Sequence, residues 1–434
     1  MKSTPNILFI FSDQQHWQAA GFMDRSFKTP NLDRLAEEGL VFSNAYCTTP
    51  QCSPSRSSIM TGLYPSKTGV LGNVGAAGGA HLCMPTIGSL LQKTGYRTGY
   101  FGKWHLGKDP VGTSGWDEDE GVTGKENHKD TDTTRNGLSF IQRAAESDQP
   151  FALFLSYRNP HDIYEFDTEK NPMPSTPRDL PETWHKKDLS TVPGVQQEFM
   201  DTDQGKVIVG AETPAWQRYQ EIYREKTRLY DAEVGQILTA LEDTGKLSDT
   251  AIIITSDHGD MDTHHKLIYK GPFMYDQMMR VPLIIRPARK NITDFTPRTI
   301  DWPTVNVDLV PTIANMTGAD LEETDGTSLV PQLSKEDTLP ERDFVIGQYY
   351  SKQKWINPIR MIRTREYQYN LYQFHGDELY DLTKDPGHIT NVAQDPSYAD
   401  VRSALASQLN EWIKENNDPF FSQHPTDRQG KPIT

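Results

Sequence analysis

The stretch with the most chemistry in this chain is Cys52-Ser53-Pro54-Ser55-Arg56. Pro54 suits the first turn of a helix, where no backbone N–H partner is needed, and Gly62 is placed to end it. A group at Cys52 then meets unpaired N–H donors and the positive end of the helix dipole, which suits an anionic substrate. Taken alone, the same cysteine also fits a small buried side chain in a turn.

Other chemistry-bearing pairs stand at the ends of apolar runs. Asp13-Gln14 follows Ile7 to Phe11, and Asp257-His258 follows Ala251 to Thr255. Two parallel strands bring both pairs to one sheet edge, where carboxylates either cap turns or ligate a cation. Gly102-Lys103-Trp104-His105-Leu106-Gly107 follows Tyr96 to Phe101, and Asn159-Pro160-His161-Asp162 follows Phe151 to Tyr157. His264-His265-Lys266 comes shortly after Asp257. A lone Lys or His on a loop is ordinarily solvated, and Trp104 reads as a packing residue.

Together these stretches resemble the formylglycine-dependent sulfatases of the alkaline-phosphatase-like superfamily. The likeness runs from Asn6 to about Val330, through Cys-x-Pro-x-Arg, the run to Thr61-Gly62, Lys-Trp-His-Leu-Gly and the two metal pairs. It implies that Cys52 is oxidised to a formylglycine by a maturation enzyme. It also implies that Asp13, Gln14, Asp257 and His258 ligate one divalent metal, with calcium the first choice. An imidazole is unusual for calcium, so manganese or zinc also fits.

The resemblance carries Arg56, Lys103, His105, His161 and Lys266 over as groups that contact the sulfate or move protons. A sulfate ester needs its oxygens neutralised, a strong nucleophile, and a proton for the leaving alcohol. Hydrated formylglycine has one hydroxyl to attack sulfur and a second to expel the sulfate afterwards. In that scheme His105 is the base, and His161, titrating near neutrality, is the acid.

The elements that must position these groups alternate strand and helix: an α/β fold with a large, mainly parallel sheet between helices. A helix is expected from Asn31, as its cap, to Glu38, stopped by Gly39, then a strand over Val41 to Tyr46. Gly72 to Gly79 is too glycine-rich for a regular element and reads as a loop at the site rim. Helices are expected over Thr86–Lys93, Thr134–Glu146, Pro214–Glu242 and Val307–Met316, with a further strand over Val281–Ile285. Residues 161–213 read as an irregular insertion. In the Pro214 helix, Trp216, Tyr219, Tyr223 and Tyr230 belong to an apolar stripe that reads as core.

The catalytic unit is expected over 1–340. A C-terminal α+β subdomain over 341–434 is expected to hold a four-strand antiparallel sheet, a helix over Tyr398–Lys414 and an irregular tail.

Net charge is −15 over 434 residues, which disfavours nucleic acid and anionic membrane and requires positive charge to be concentrated locally at an anion site. Mean hydropathy is −0.65 and no long apolar run suggests a membrane span. Three cysteines make no disulfide framework. Met1 to Phe11 is too short for a signal sequence, which leaves cytoplasmic placement and a removed leader both open. The partners expected are a sulfated glycan, as poly- or oligosaccharide, and the maturation enzyme. The alternatives are a phosphonate monoester or phosphodiester hydrolase of the same superfamily, against which Ser53 and Ser55 speak, and a non-catalytic sulfated-glycan binder.

Overall fold

A computed structural model describes residues 4–107, 115–119, 129–168, 178–291, 295–333 and 339–433. Its centre is a seven-stranded sheet. From one edge the strands are Arg97–Gly102, Phe151–Pro160, Asn6–Asp13, Thr250–Ser256, Ile284–Arg286, Leu40–Phe42 and Arg298–Ile300. Six run the same way, and Ile284–Arg286 runs against its two neighbours.

The central strand Asn6–Asp13 is buried on both faces, which is why its sequence is apolar without alternation. Leu8 and Ile10 pack with Phe140, Ile141, Val234, Ile237 and Leu238, which lie on the helices Asp130–Ala145 and Thr213–Asp243. Ile7, Phe9 and Phe11 face the other way, onto a layer that includes Ile59 and Met60 of the helix Cys52–Thr61. Each such side chain, fully buried, contributes about 1.5–3 kcal/mol.

Several local expectations shift. The first helix starts at Pro30, and Asn31 does not cap it but bonds Asp231 of the long helix. Gly39 follows in extended conformation. The expected strand Val41–Tyr46 breaks in two: Leu40–Phe42 joins the large sheet, while Ala45–Tyr46 pairs with Thr304–Val305. The 161–213 stretch carries short helices, among them Glu182–Lys186 and Val195–Thr202; its residues 169–177 lie outside the described residues.

A second, antiparallel sheet runs Val345–Lys352, Trp355–Arg363, Tyr367–Tyr372, Asp377–Asp381 in sequence order, with helix Ala399–Glu415 against it. The tail is less irregular than expected: Asp418 pairs with buried Arg360, and Ile356 N donates to Thr426. Among the described residues, no helix is long and apolar enough to cross a membrane.

Candidate active site

Parallel register builds the site. Ser12 pairs with Ser256, so Asp13 and Asp257 leave the sheet side by side at its carboxyl edge. Gln14 has φ 73, and in that left-handed conformation its N–H donates to Asp257 Oδ1 at 3.1 Å. His258 N donates to the same oxygen at 2.8 Å. The His258 Nδ1 lies 2.9 Å from the Gly259 carbonyl, which makes Nδ1 the donor and turns the Nε2 lone pair inward.

The Cys52 helix enters from the side. Cys52 and Arg56 are four positions apart, so both lie on one face. Arg56 is 1% exposed and its guanidinium donates to Asp257 Oδ2 at 2.8 Å, Asp13 Oδ2 at 3.2 Å and Ser156 Oγ at 2.8 Å. Gly62 ends the helix with φ 75. The helix start is less open than the sequence suggested, because Ser53 N donates to Asn73 Oδ1 at 2.9 Å and Val74 N donates to Ser53 Oγ. The glycine-rich loop is thereby tied to the turn that carries Cys52.

Lys103 follows the edge strand through Gly102, whose φ is 102 and where a Cβ would stand 2.0 Å from the Ser156 carbonyl oxygen. Lys103 Nζ pairs with Asp13 Oδ2 and lies 3.7 Å from Cys52 Sγ. His161 follows the strand Phe151–Pro160, whose end is held by Asp130: its carboxylate accepts from Arg158 N at 2.6 Å and Asn159 N at 3.0 Å. The Nδ1 atoms of His105 and His161 have no hydrogen-bond partner among the described residues.

Lys266 is not brought to this cluster. Its Nζ sits 5.9 Å over the Trp184 ring, while His264 pairs with Thr183 and His265 stacks on Tyr275 at 3.9 Å. Lys270 stands there instead, with Nζ 3.0 Å from Cys52 Sγ, 2.7 Å from Gln14 Oε1 and 3.1 Å from His258 Nε2. The loop reverses repeatedly, with φ 60 at both His265 and Lys266 and φ 58 at Tyr269, so helical or extended spacing misplaces its lysines. The available signal was a single lysine inside the otherwise uncharged run Leu267 to Met274. Lys352, from the second sheet, donates to the Lys270 carbonyl at 2.8 Å.

The aromatic stripe of the long helix also does more than fill the core. Tyr223 OH donates to the Gln14 carbonyl at 2.7 Å, and Tyr219 OH donates to Asp260, which accepts from Gln14 Nε2 at 2.6 Å. Two hydroxyls and a carboxylate thus orient Gln14.

Charge decides the protonation states. Burial alone would raise the Asp13 pKa, but Lys103, His161, Lys270 and Arg56 hold it well below 3.8. Burial and Asp13 push the Cys52 thiol up, yet Lys103, Lys270 and His258 outweigh them and bring it well below 9.0. Desolvation lowers His105, with Lys103 adding to it. Desolvation, with Lys103 and Lys270, holds His161 well below 6.5 against the pull of Asp13, so it does not titrate near neutrality in the free protein as its type alone suggested.

The carboxylates of Asp13 and Asp257, the imidazole of His258 and the sulfur of Cys52 offer ligand atoms all within 4.8 Å of one another, every residue buried. With Gln14 Oε1 beside them, the oxygen and nitrogen donors fit a divalent cation.

The model of the family described as Sulfatase matches residues 5–319. The chain belongs to the sulfatase family. It is a sulfuric ester hydrolase of alkaline-phosphatase-like fold with a metal site. A second family model, N-sulphoglucosamine sulphohydrolase, C-terminal, matches residues 264–415. The Delta 4,5-hexuronate-2-O-sulfatase of Bacteroides thetaiotaomicron is 28% identical, covering 96% of this chain and 90% of its own length. The structure of a 2-O GAG sulfatase superposes with TM-score 0.86 at 26% identity, over 99% of this chain and 96% of the other. The phosphonate monoester hydrolase of Agrobacterium radiobacter, at TM-score 0.76 and 23% identity over 99% of both chains, shares the fold.

Proposed function

We propose that this sulfatase removes sulfate from a sulfated carbohydrate, with Cys52 converted to formylglycine as the nucleophile. The observation that carries the reading is the convergence of Lys103 and Lys270 on Cys52, in a chain whose net charge is −15. Positive charge against that background is what an anionic ester requires. The carbohydrate class is supported by the relatives that act as a hexuronate 2-O-sulfatase and a 2-O GAG sulfatase.

When Cys52 is converted, the hydrated aldehyde supplies one hydroxyl to attack sulfur and a second to release it. A divalent cation held by Asp13, Gln14, Asp257 and His258, calcium first on its three oxygen donors, supplies charge neutralisation and polarisation. The protein's own groups do the rest. Arg56 fixes the two carboxylates by donating to both. Lys103 and Lys270 hold the sulfate oxygens. His105, kept neutral by desolvation, takes the proton that lets sulfate leave. His161 is neutral in the free protein, and the negative charge of a bound sulfate ester raises its pKa, so that it is protonated when the leaving oxygen needs a proton.

The test is inorganic sulfate release from a panel of sulfated oligosaccharides, by protein whose conversion at Cys52 is confirmed by mass, with a phosphonate monoester alongside. Sulfate release from a glycan and its loss in Cys52→Ala are expected. Phosphonate turnover with no sulfate from any glycan overturns the substrate assignment.

A further inference from the structure

The thiol form of Cys52 has a coordination chemistry of its own. Cys52 Sγ is 3.3 Å from His258 Nε2 and 3.7 Å from Asp13 Oδ1. His258 Nε2 is 3.7 Å from Asp13 Oδ1 and 3.6 Å from Asp257 Oδ1. A tetrahedral zinc site with ordinary Zn–S, Zn–N and Zn–O bonds has donor–donor edges of about 3.3–3.6 Å. These four edges, at 3.3–3.7 Å, are close to those of such a site, and each of the four residues offers a ligand atom within 4.8 Å of the others.

The surrounding bonds orient these donors toward one another. Arg56 holds the far oxygens, Asp257 Oδ2 and Asp13 Oδ2, so both Oδ1 atoms point inward. The Gly259 carbonyl engages His258 Nδ1 and leaves Nε2 as donor. Gln14 N and His258 N fix Asp257 Oδ1.

We propose that the chain whose Cys52 is still a thiol captures a thiophilic dication, Zn2+ or Cd2+, through Asp13, Cys52, Asp257 and His258. Replacing an amide oxygen by sulfur as the fourth donor changes the class of ion selected. Calcium takes six to eight oxygens, whereas sulfur and imidazole favour zinc-type ions. On binding, the S–H bond breaks, the S–metal bond forms, and the proton leaves to solvent; nothing is oxidised or reduced. Lys270 Nζ lies 3.0 Å from the sulfur and 3.1 Å from Nε2, so its ammonium competes with the ion for those donors and must swing away. Lys103, His105 and His161, around the cluster, are partly exposed. Conversion of Cys52 removes the sulfur and with it this site, so the ion separates unconverted from converted protein. The inference goes beyond the substrate reading: it is tested on unconverted chain, and failed sulfate release by converted chain leaves it standing.

The experiment uses full-length protein with Cys52 unconverted, in a Cys83→Ser background because Cys83 is an exposed thiol, while Cys47 is buried. Metal-stripped protein is titrated with Cd2+. A sulfur-to-cadmium charge-transfer band in the ultraviolet is expected, saturating at one equivalent and persisting in millimolar Ca2+. Outer partners of metal ligands already contribute about 10–100-fold in affinity, so Cys52→Ala, losing a direct donor, is expected to lose the band and bind at least about a hundredfold more weakly. Absence of the band in the parent, its reversal by millimolar Ca2+, or affinity in Cys52→Ala within tenfold of the parent overturns the proposal. The first two readouts need no variant at position 52, so a misfolded Cys52→Ala protein leaves the test decisive.

Discussion

Lys270 and Lys266 lie four residues apart, and the structure gives them opposite fates. The Lys270 ammonium is 3.0 Å from Cys52 Sγ, where the proposed nucleophile stands, whereas Lys266 rests 5.9 Å over an indole. A unit charge at about 4 Å from another is worth roughly 4 kcal/mol at an effective dielectric of 20. Deleting one donor to developing charge typically costs about 2.7–4 kcal/mol, or 10²–10³ in kcat. Lys270→Ala is therefore expected to lose about that factor in sulfate release. Lys266→Ala gives up a cation–π contact of about 0.5–1 kcal/mol, read in thermal stability, and keeps kcat within about twofold. Steady-state sulfate release by both variants, with melting curves as the control for folding, separates the two. A hundredfold loss in Lys266→Ala beside a Lys270→Ala enzyme that keeps a tenth of its activity refutes the assignment.

Three further expectations concern the site's supports. Arg56→Met strips the shared cation from two buried carboxylates and should destabilise by about 3–5 kcal/mol in chelator, seen as a lower melting temperature. A divalent cation at a hundred times its Kd should return about 2.7 kcal/mol, and an unchanged melt in both conditions counts against the charge argument. Asp262 is buried and desolvation raises its pKa from 3.8 to about 7, while desolvation lowers His16, 3.5 Å away, to about 3, so the contact is not an ion pair at neutral pH. A carboxyl raised on folding favours the native state below its unfolded pKa and loses that contribution as pH rises through about 7. Asp262→Asn should thus gain on the parent protein between pH 4 and 8, by at most about 4 kcal/mol, and a difference flat in pH would contradict this. Asp130→Asn weakens the brace on Arg158 and Asn159 that places His161, and should lower kcat by up to about 10²-fold with KM little changed; equal loss in both parameters would point to binding instead.

Much of this was legible in the sequence because it rests on local rules. Ile7 to Phe11 announced a central strand, Pro54 and Gly62 bracketed the helix that carries Cys52, and the polar pairs after two apolar runs marked one sheet edge. What stayed hidden depends on how distant segments meet. Asn31 looked like a cap, but Asp231 competes for its side chain from 200 residues away. Tyr219 and Tyr223 read as packing because periodicity reports which face is buried, not where a hydroxyl ends. Lys270 was missed because its loop turns through several left-handed residues, and no repeating pattern predicts direction across such a path.

The burial of Cys52 also has a meaning in time. The side chain is 1% exposed, and the groups against it, His258 and Lys270, follow it by 206 and 218 residues. At roughly 5–20 residues per second, the ribosome needs about 10–40 s to supply them once Cys52 has been made. Until then the sheet lacks its Thr250–Ser256 strand and the pocket has no far wall. An enzyme that acts on this thiol finds it uncovered throughout that interval, and slowing synthesis between codons 52 and 258 lengthens it without changing one residue of the product.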